Sequence, residues 1–121
     1  MAKKILFIED EPDQVVLVRA RFEAGGYEFH SAPDGEKGLG KAQSLKPDLI
    51  LLDVILPKID GFEVCKRLKK NAQTKNIPVI ILTAVGMKDA EKKAAECGAA
   101  AFFKKPYDSK ELVKKVKELI V

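Results

Sequence analysis

No apolar run in the 121-residue chain approaches the ~18 residues that a membrane-spanning helix needs. The run near the N-terminus, Ile5–Ile8, follows Lys3 and Lys4 as a secretory signal would. It is far too short for a signal core, and three acids follow it at once. Cysteine is scarce: Cys65 and Cys97 make no disulfide framework and suit a reducing cytoplasm, where packing is their expected role. Histidine is scarcer still, with His30 alone in a segment where a structural role suffices. Linkers, repeats and low-complexity stretches are missing, so residues 1–121 are read as one domain. A composition of 46% hydrophobic and 33% charged residues excludes a disordered tail.

The net charge of +4 hides an asymmetry. Residues 1–60 carry 8 Lys/Arg against 11 Asp/Glu, a net −3, whereas residues 61–121 carry 14 against 7, a net +7. A basic total alone points toward nucleic acid or an anionic surface. The split points instead to an acidic place and a basic place on one small domain.

Short apolar runs alternate with segments of helical spacing. The runs are Lys4–Ile8, Tyr27–Ser31, Leu49–Asp53, Pro78–Leu82 and Ala100–Phe103. Three are almost continuously apolar, the pattern of strands covered on both faces, while Tyr27–Ser31 alternates as an edge strand does. Val15, Val18 and Phe22 mark a first helix that Gly25-Gly26 ends. Asp34 caps a second, which Pro47 stops, and Asp60 caps a third containing Val64, Cys65 and Leu68. A fourth is expected over Lys88–Cys97, and a fifth opens at Asp108-Ser109 with Leu112, Val113, Val116 and Leu119 as its stripe. Five β-α units imply an α/β fold: a five-stranded parallel sheet of order 2-1-3-4-5 with right-handed crossovers and helices on both faces.

Such sheets place their sites at the carboxyl ends of the strands. Glu9, Asp10 and Glu11 follow the first strand, Asp53 ends the third, Thr83 follows the fourth, and Lys104, Lys105 and Pro106 follow the fifth. An acidic triplet alone is an ordinary solvated loop. Asp53, directly after a leucine-rich run, has no packing reason to be there. Carboxylates crowded together repel, and oxygen ligands with no His or Cys nearby suit Mg²⁺ better than Zn²⁺. Lys105 alone is a snorkelling surface residue, and Thr83 alone is a β-branched strand end. Beside the acids they become donors to phosphoryl oxygens, with Asp53 as the carboxylate nucleophile.

These residues resemble the receiver domain of two-component response regulators. The matching stretches are 5–12 (ILFIEDEP), 51–61 (LLDVILPKIDG), 79–84 (VIILTA) and 102–106 (FFKKP), in the right order along the whole chain. The resemblance implies the flavodoxin-like receiver fold and a cytoplasmic phosphorelay function, signalling rather than metabolic catalysis. It implies that Asp53 takes a phosphoryl group from a sensor histidine kinase or a histidine phosphotransfer protein. Asp10 and Asp53 would bind Mg²⁺ with the Ile55 backbone carbonyl, and Glu9 would hold the metal through water. Thr83 and Lys105 would contact the phosphoryl group, Phe102 would be the switch aromatic, and the Lys105–Pro106 peptide would be cis. The face of the fourth helix, fifth strand and fifth helix would change on phosphorylation and meet a downstream target, an output domain or a second copy, with no direct contact to nucleic acid or membrane.

Three residues depart from the commonest pattern. Glu9 replaces Asp, Leu56 replaces Met before Pro57, and Phe102 lacks a tyrosine's hydroxyl. Ile55 and Val85 flank the site, and neither can assist an attacking water, which predicts a long-lived phosphoryl group. Val85 and Met87 are read as loop residues near the site. Two other classes compete. A hydrolase using Asp53 would want a second acid two residues on, where Ile55 stands. The other is an interaction module that keeps only the fold.

Overall fold

The computed structural model describes residues 2–84 and 86–120. Five strands, β1 (Lys4–Ile8), β2 (Glu28–Ala32), β3 (Leu49–Asp53), β4 (Val79–Thr83) and β5 (Ala101–Lys104), form one parallel sheet ordered β2-β1-β3-β4-β5. They alternate with α1 (Pro12–Ala24), α2 (Gly35–Leu45), α3 (Gly61–Lys70), α4 (Ala90–Glu96) and α5 (Ser109–Leu119). The α/β architecture and strand order are those expected.

The continuous apolar runs are explained by burial on both sides. Leu6, Ile8, Ile50, Leu52, Val79 and Ile81 face α2, α3 and α4. Ile5, Phe7, Leu49, Leu51, Ile80 and Leu82 face α1 and α5, where Val18, Phe22, Leu112 and Val116 close the core. Asp34 accepts from Lys37 N at 2.8 Å and Asp60 from Glu63 N at 2.9 Å, each satisfying a donor that a helix start leaves open. Asp108 also caps, but through Lys110 N at 2.8 Å rather than through a full capping box.

Several boundaries move. The strands expected over Tyr27–Ser31, Pro78–Leu82 and Ala100–Phe103 each lie one residue later. Backbone pairing continues through the polar ends Thr83 and Lys104, which partner each other, whereas an apolar pattern stops before them. Tyr27 N is engaged by Phe22 O at 3.1 Å, closing the turn after α1. The fourth helix is shorter than the expected Lys88–Cys97: Asp89 precedes it in the left-handed region (φ 57°), and Cys97 is its C-cap. Only Ala90 and Ala94 of α4 are buried, so little apolar area anchors it. Val85 lies outside the described residues; Met87 packs half-buried against the α3–α4 side of the core.

His30 Nε2 meets Glu28 Oε2 at 2.6 Å near the surface of β2. Cys65 and Cys97 are both buried and donate to the carbonyls of Cys97 and Ala94 at 3.2 Å.

Gly40, exposed within α2, has no atom within 4 Å of where a Cβ would stand. Gly40→Ala is therefore expected to stabilise the fold by about 0.5–1 kcal/mol through helix propensity and a less free unfolded chain. Urea unfolding would register this as a higher midpoint with an unchanged slope.

Candidate functional site

The carboxyl ends of β1, β3, β4 and β5 bring the candidate residues to one edge of the sheet. Parallel neighbours β1 and β3 set Glu9 beside Asp53, and ligand oxygens of Glu9, Asp10 and Asp53 all lie within 4.8 Å of one another. Glu9 and Asp53 are buried, while Asp10 is exposed. Lys105 Nζ arrives from the far side of the chain, 3.2 Å from Glu9 Oε1 and 3.3 Å from Asp53 Oδ2. The other Glu9 oxygen accepts from the backbone N–H groups of Asp10 and Glu11, at 3.0 and 3.2 Å. Both oxygens of this buried carboxylate are thus satisfied.

The electrostatics follow from crowding. Burial, and then the neighbouring Asp53 charge, push the Glu9 carboxyl up to about 7, and Lys105 offsets only part of this. Burial pulls the Lys105 ammonium down, but Asp53 and Glu9 together outweigh it and leave it raised. One cation does not compensate the cluster. The donor set is all oxygen, with one exposed carboxylate left open, which fits a hard divalent cation.

The remaining candidates stand at different distances from the chemistry. Ile55, two residues beyond Asp53, is 59% exposed and so lies at the surface rather than in the core. Thr83 is fully buried, and its hydroxyl donates to Phe103 O at 3.4 Å, along β5 rather than into the carboxylate cluster. Phe102 packs half-buried on the α3–α4 side, and Phe103 takes the α1–α5 side. The Lys105–Pro106 peptide is cis, and Lys105 N donates to Thr83 O at 2.8 Å, tying β5's end to β4.

Two further residues belong to this edge that the sequence reading gave no role. Gly61 begins α3 so close to β3 that a Cβ would stand 2.8 Å from Val54 Cα and overlap the Asp53 carbonyl oxygen. Its N–H donates to Val54 O at 2.8 Å. The available signal was a glycine directly after a capping Asp60, where a helix must start against a strand. Tyr107 is half-buried beside Phe103, and burial pushes its phenol up while Lys105 opposes this. Only its position after Lys105-Pro106 could have marked it.

Comparison with known proteins gives the same outline. The family model for the response regulator receiver domain matches residues 5–117. The chain is 42% identical over 117 residues to the DNA-binding dual master transcriptional regulator RpaA of a Synechocystis species, covering 97% of this chain and 48% of that protein. It thus spans about half the length of the first curated relatives it matches. Among solved structures, the chemotaxis response regulator CheY4 of Vibrio cholerae superposes with a TM-score of 0.90 at 28% identity, covering 98% of this chain and 99% of that one. The receiver domain of the sensor histidine kinase PA1611 of Pseudomonas aeruginosa, which holds a magnesium ion in its active-site cleft, superposes with a TM-score of 0.90 at 25% identity, covering 99% and 98%. With the sheet order, the strand-end acids and the family match over nearly the whole chain in agreement, the chain belongs to the response regulator receiver domains of two-component signalling.

Proposed function

We propose that this receiver accepts a phosphoryl group on Asp53 from a phosphohistidine of a sensor histidine kinase or a histidine phosphotransfer protein. The observation that supports this most is the convergence of Glu9, Asp10 and Asp53 within 4.8 Å, with Lys105 about 3 Å from two of them. Asp10, Asp53 and the Ile55 carbonyl would hold Mg²⁺, with Glu9 behind them through water. The ion would supply neutralisation of the charge on carboxylate and phosphoryl oxygens.

An Asp53 carboxylate oxygen forms the new bond to phosphorus as the bond from phosphorus to the donor imidazole breaks, and the imidazole nitrogen keeps the electron pair. Lys105, already paired with Asp53, follows the charge onto the phosphoryl oxygens. The Thr83 hydroxyl turns from the Phe103 carbonyl toward the phosphoryl group, and Phe102 moves into the space that opens. Without a hydroxyl, the Phe102 positions differ in apolar burial and not in a hydrogen bond. The α4–β5–α5 face then shifts between two conformations, biased by the phosphoryl contacts. That α4 is short and weakly anchored supports its assignment as the moving element. A cytoplasmic target, an output domain or a second copy of the chain would read this face.

The domain would catalyse only its own phosphotransfer and the slow loss of the phosphoryl group. Ile55 is exposed and apolar, so it positions no water, and a long phosphoryl lifetime is expected. Loss of radiolabelled phosphoryl within seconds would contradict it.

The test of the assignment is incubation with Mg²⁺ and acetyl phosphate or a beryllofluoride salt. One phosphoryl adduct by mass spectrometry, or shifted amide resonances at Thr83, Phe102 and Lys105, is expected in wild type and absent in Asp53→Ala. No change in wild type, or the same change in the variant, removes the proposal. Turnover of small phosphate esters would favour a hydrolase instead.

A further inference from the structure

We infer that Cys65 and Cys97 are a peroxide-sensitive pair, joined on oxidation by a disulfide that fastens α4 to α3. The bond itself does not depend on Asp53 chemistry. Its effect on the α4–β5–α5 face rests on the function proposed above.

The chain has only these two cysteines, and the fold brings them together from 32 positions apart. Cys65 lies in α3, and Cys97 is the C-cap of α4. The Cys65 thiol donates to Cys97 O at 3.2 Å, which puts its sulfur within about 6 Å of Cys97 Cα. The Cys97 thiol donates back along α4, to Ala94 O at 3.2 Å. The two side chains are also in contact with each other. Contact with Cys65 holds the Cys97 thiol down at about 7 against the effect of burial, aided by the Ala99 N–H and the Lys66 ammonium. Contact with Cys97, and then burial, push the Cys65 thiol up, and Lys69 opposes this. At neutral pH one sulfur is thus partly thiolate while the other stays a thiol, as suits an attacking and a resolving cysteine. Packing alone asks only for two small apolar side chains here, with no such difference between them.

Both sulfurs are buried, so entry depends on which element opens. Val64 and Leu68 anchor α3 beside Cys65, whereas α4 buries only Ala90 and Ala94. Local opening of α4 therefore exposes Cys97 first. Its thiolate attacks one oxygen of the peroxide and the O–O bond breaks. The hydroxide released takes the proton that Cys97 gave up, leaving water and a sulfenic acid at Cys97. When α4 closes again, the Cys65 sulfur attacks the Cys97 sulfur. The S–S bond forms, the S–O bond breaks, and the leaving hydroxide takes the Cys65 proton as a second water. The two sulfurs lose two electrons in all, and the peroxide gains them. A thiol reductant reverses the bond, so in a reducing compartment it is transient and reports an oxidant. While it lasts, α4 is held against α3, and a switch that needs α4 to move stays in its resting arrangement.

The test is exposure of the full chain to a small molar excess of hydrogen peroxide, followed by alkylation of the remaining thiols and peptide mapping. A Cys65–Cys97 crosslink within one chain is expected in wild type and Asp53→Ala alike, and a dithiol reductant should remove it. Cys65→Ala, shown folded by circular dichroism, should stop at a Cys97 sulfenic acid that dimedone traps. Cys97→Ala should leave Cys65 reduced. The crosslinked protein should melt higher than the reduced one by about 5 °C or more. Beryllofluoride should shift its α4 amide resonances at least about twofold less than those of the reduced protein. Free thiols in peroxide-treated wild type, crosslinks only between copies, or a sulfenic acid at Cys65 in folded Cys97→Ala would each overturn the inference. A crosslink with an undiminished α4 response would overturn the restraint. No beryllofluoride response in the reduced protein would instead remove the phosphorylation reading, with the crosslink still standing as measured.

Discussion

Asp53→Asn is expected to accept no phosphoryl group and yet to unfold at a higher temperature than wild type in magnesium-free buffer. The loss follows from removing the proposed nucleophile. The gain follows from the crowding of Glu9, whose carboxyl is held near 7 by burial and by Asp53. A carboxyl raised from its ordinary value of 4.5 binds more protons folded than unfolded, so wild-type stability falls as pH climbs from about 4.5 to about 7. Below that window the penalty is absent, and above it the penalty is complete, about 3 kcal/mol. Asparagine removes the repulsion and leaves Lys105 to pair with Glu9 alone, so the variant's profile should be flatter across the window. Melting curves between pH 4 and 8 with a chelator present check this, and a variant less stable than wild type at pH 8 contradicts it. Function here is maintained against stability, as is common where charges are gathered for chemistry.

Gly61→Ala should be the most damaging single-methyl addition at the site. The added Cβ meets backbone, at Val54 Cα and the Asp53 carbonyl, so no side chain can rotate away. The start of α3 must lift from β3, at a cost of about 1–3 kcal/mol, which for a chain of this size lowers the melting temperature by roughly 5–10 °C. Asp53 sits on the strand that is pushed, so the rate of phosphoryl uptake should fall with it. Wild-type stability and uptake in Gly61→Ala would show that the close approach is not needed. Gly40→Ala, in open space on α2, provides the matched control of opposite sign.

The fold was legible because strands covered on both faces read as continuous apolar runs, and because Asp34 and Asp60 announce their helices. Asp53 was legible as a carboxylate with no packing reason, placed at a strand's carboxyl end. What was hidden depends on neighbours that a one-dimensional pattern does not contain. The orientation of the Thr83 hydroxyl is set by β5, the role of Gly61 by the backbone of β3, and the engagement of Glu9 by a lysine 96 positions away. The start of α4 was hidden for another reason. Its residues are mostly Ala, Lys and Glu, which fit a helix anywhere, so the left-handed turn at Asp89 and not a change in composition decides where it begins.

The Glu9–Lys105 pair also bears on synthesis. It joins the residue after the first strand to the residue after the last, so its two halves leave the ribosome far apart in time. Until β5 docks, Glu9 and Asp53 have no lysine between them, and the edge that carries them is electrostatically incomplete. A chain ending before β5 would lack the counter-charge that Lys105 brings to Glu9 and Asp53. Among the described residues no ion pair spans more of the sequence, so the charges at this edge are balanced only once the last strand is in place.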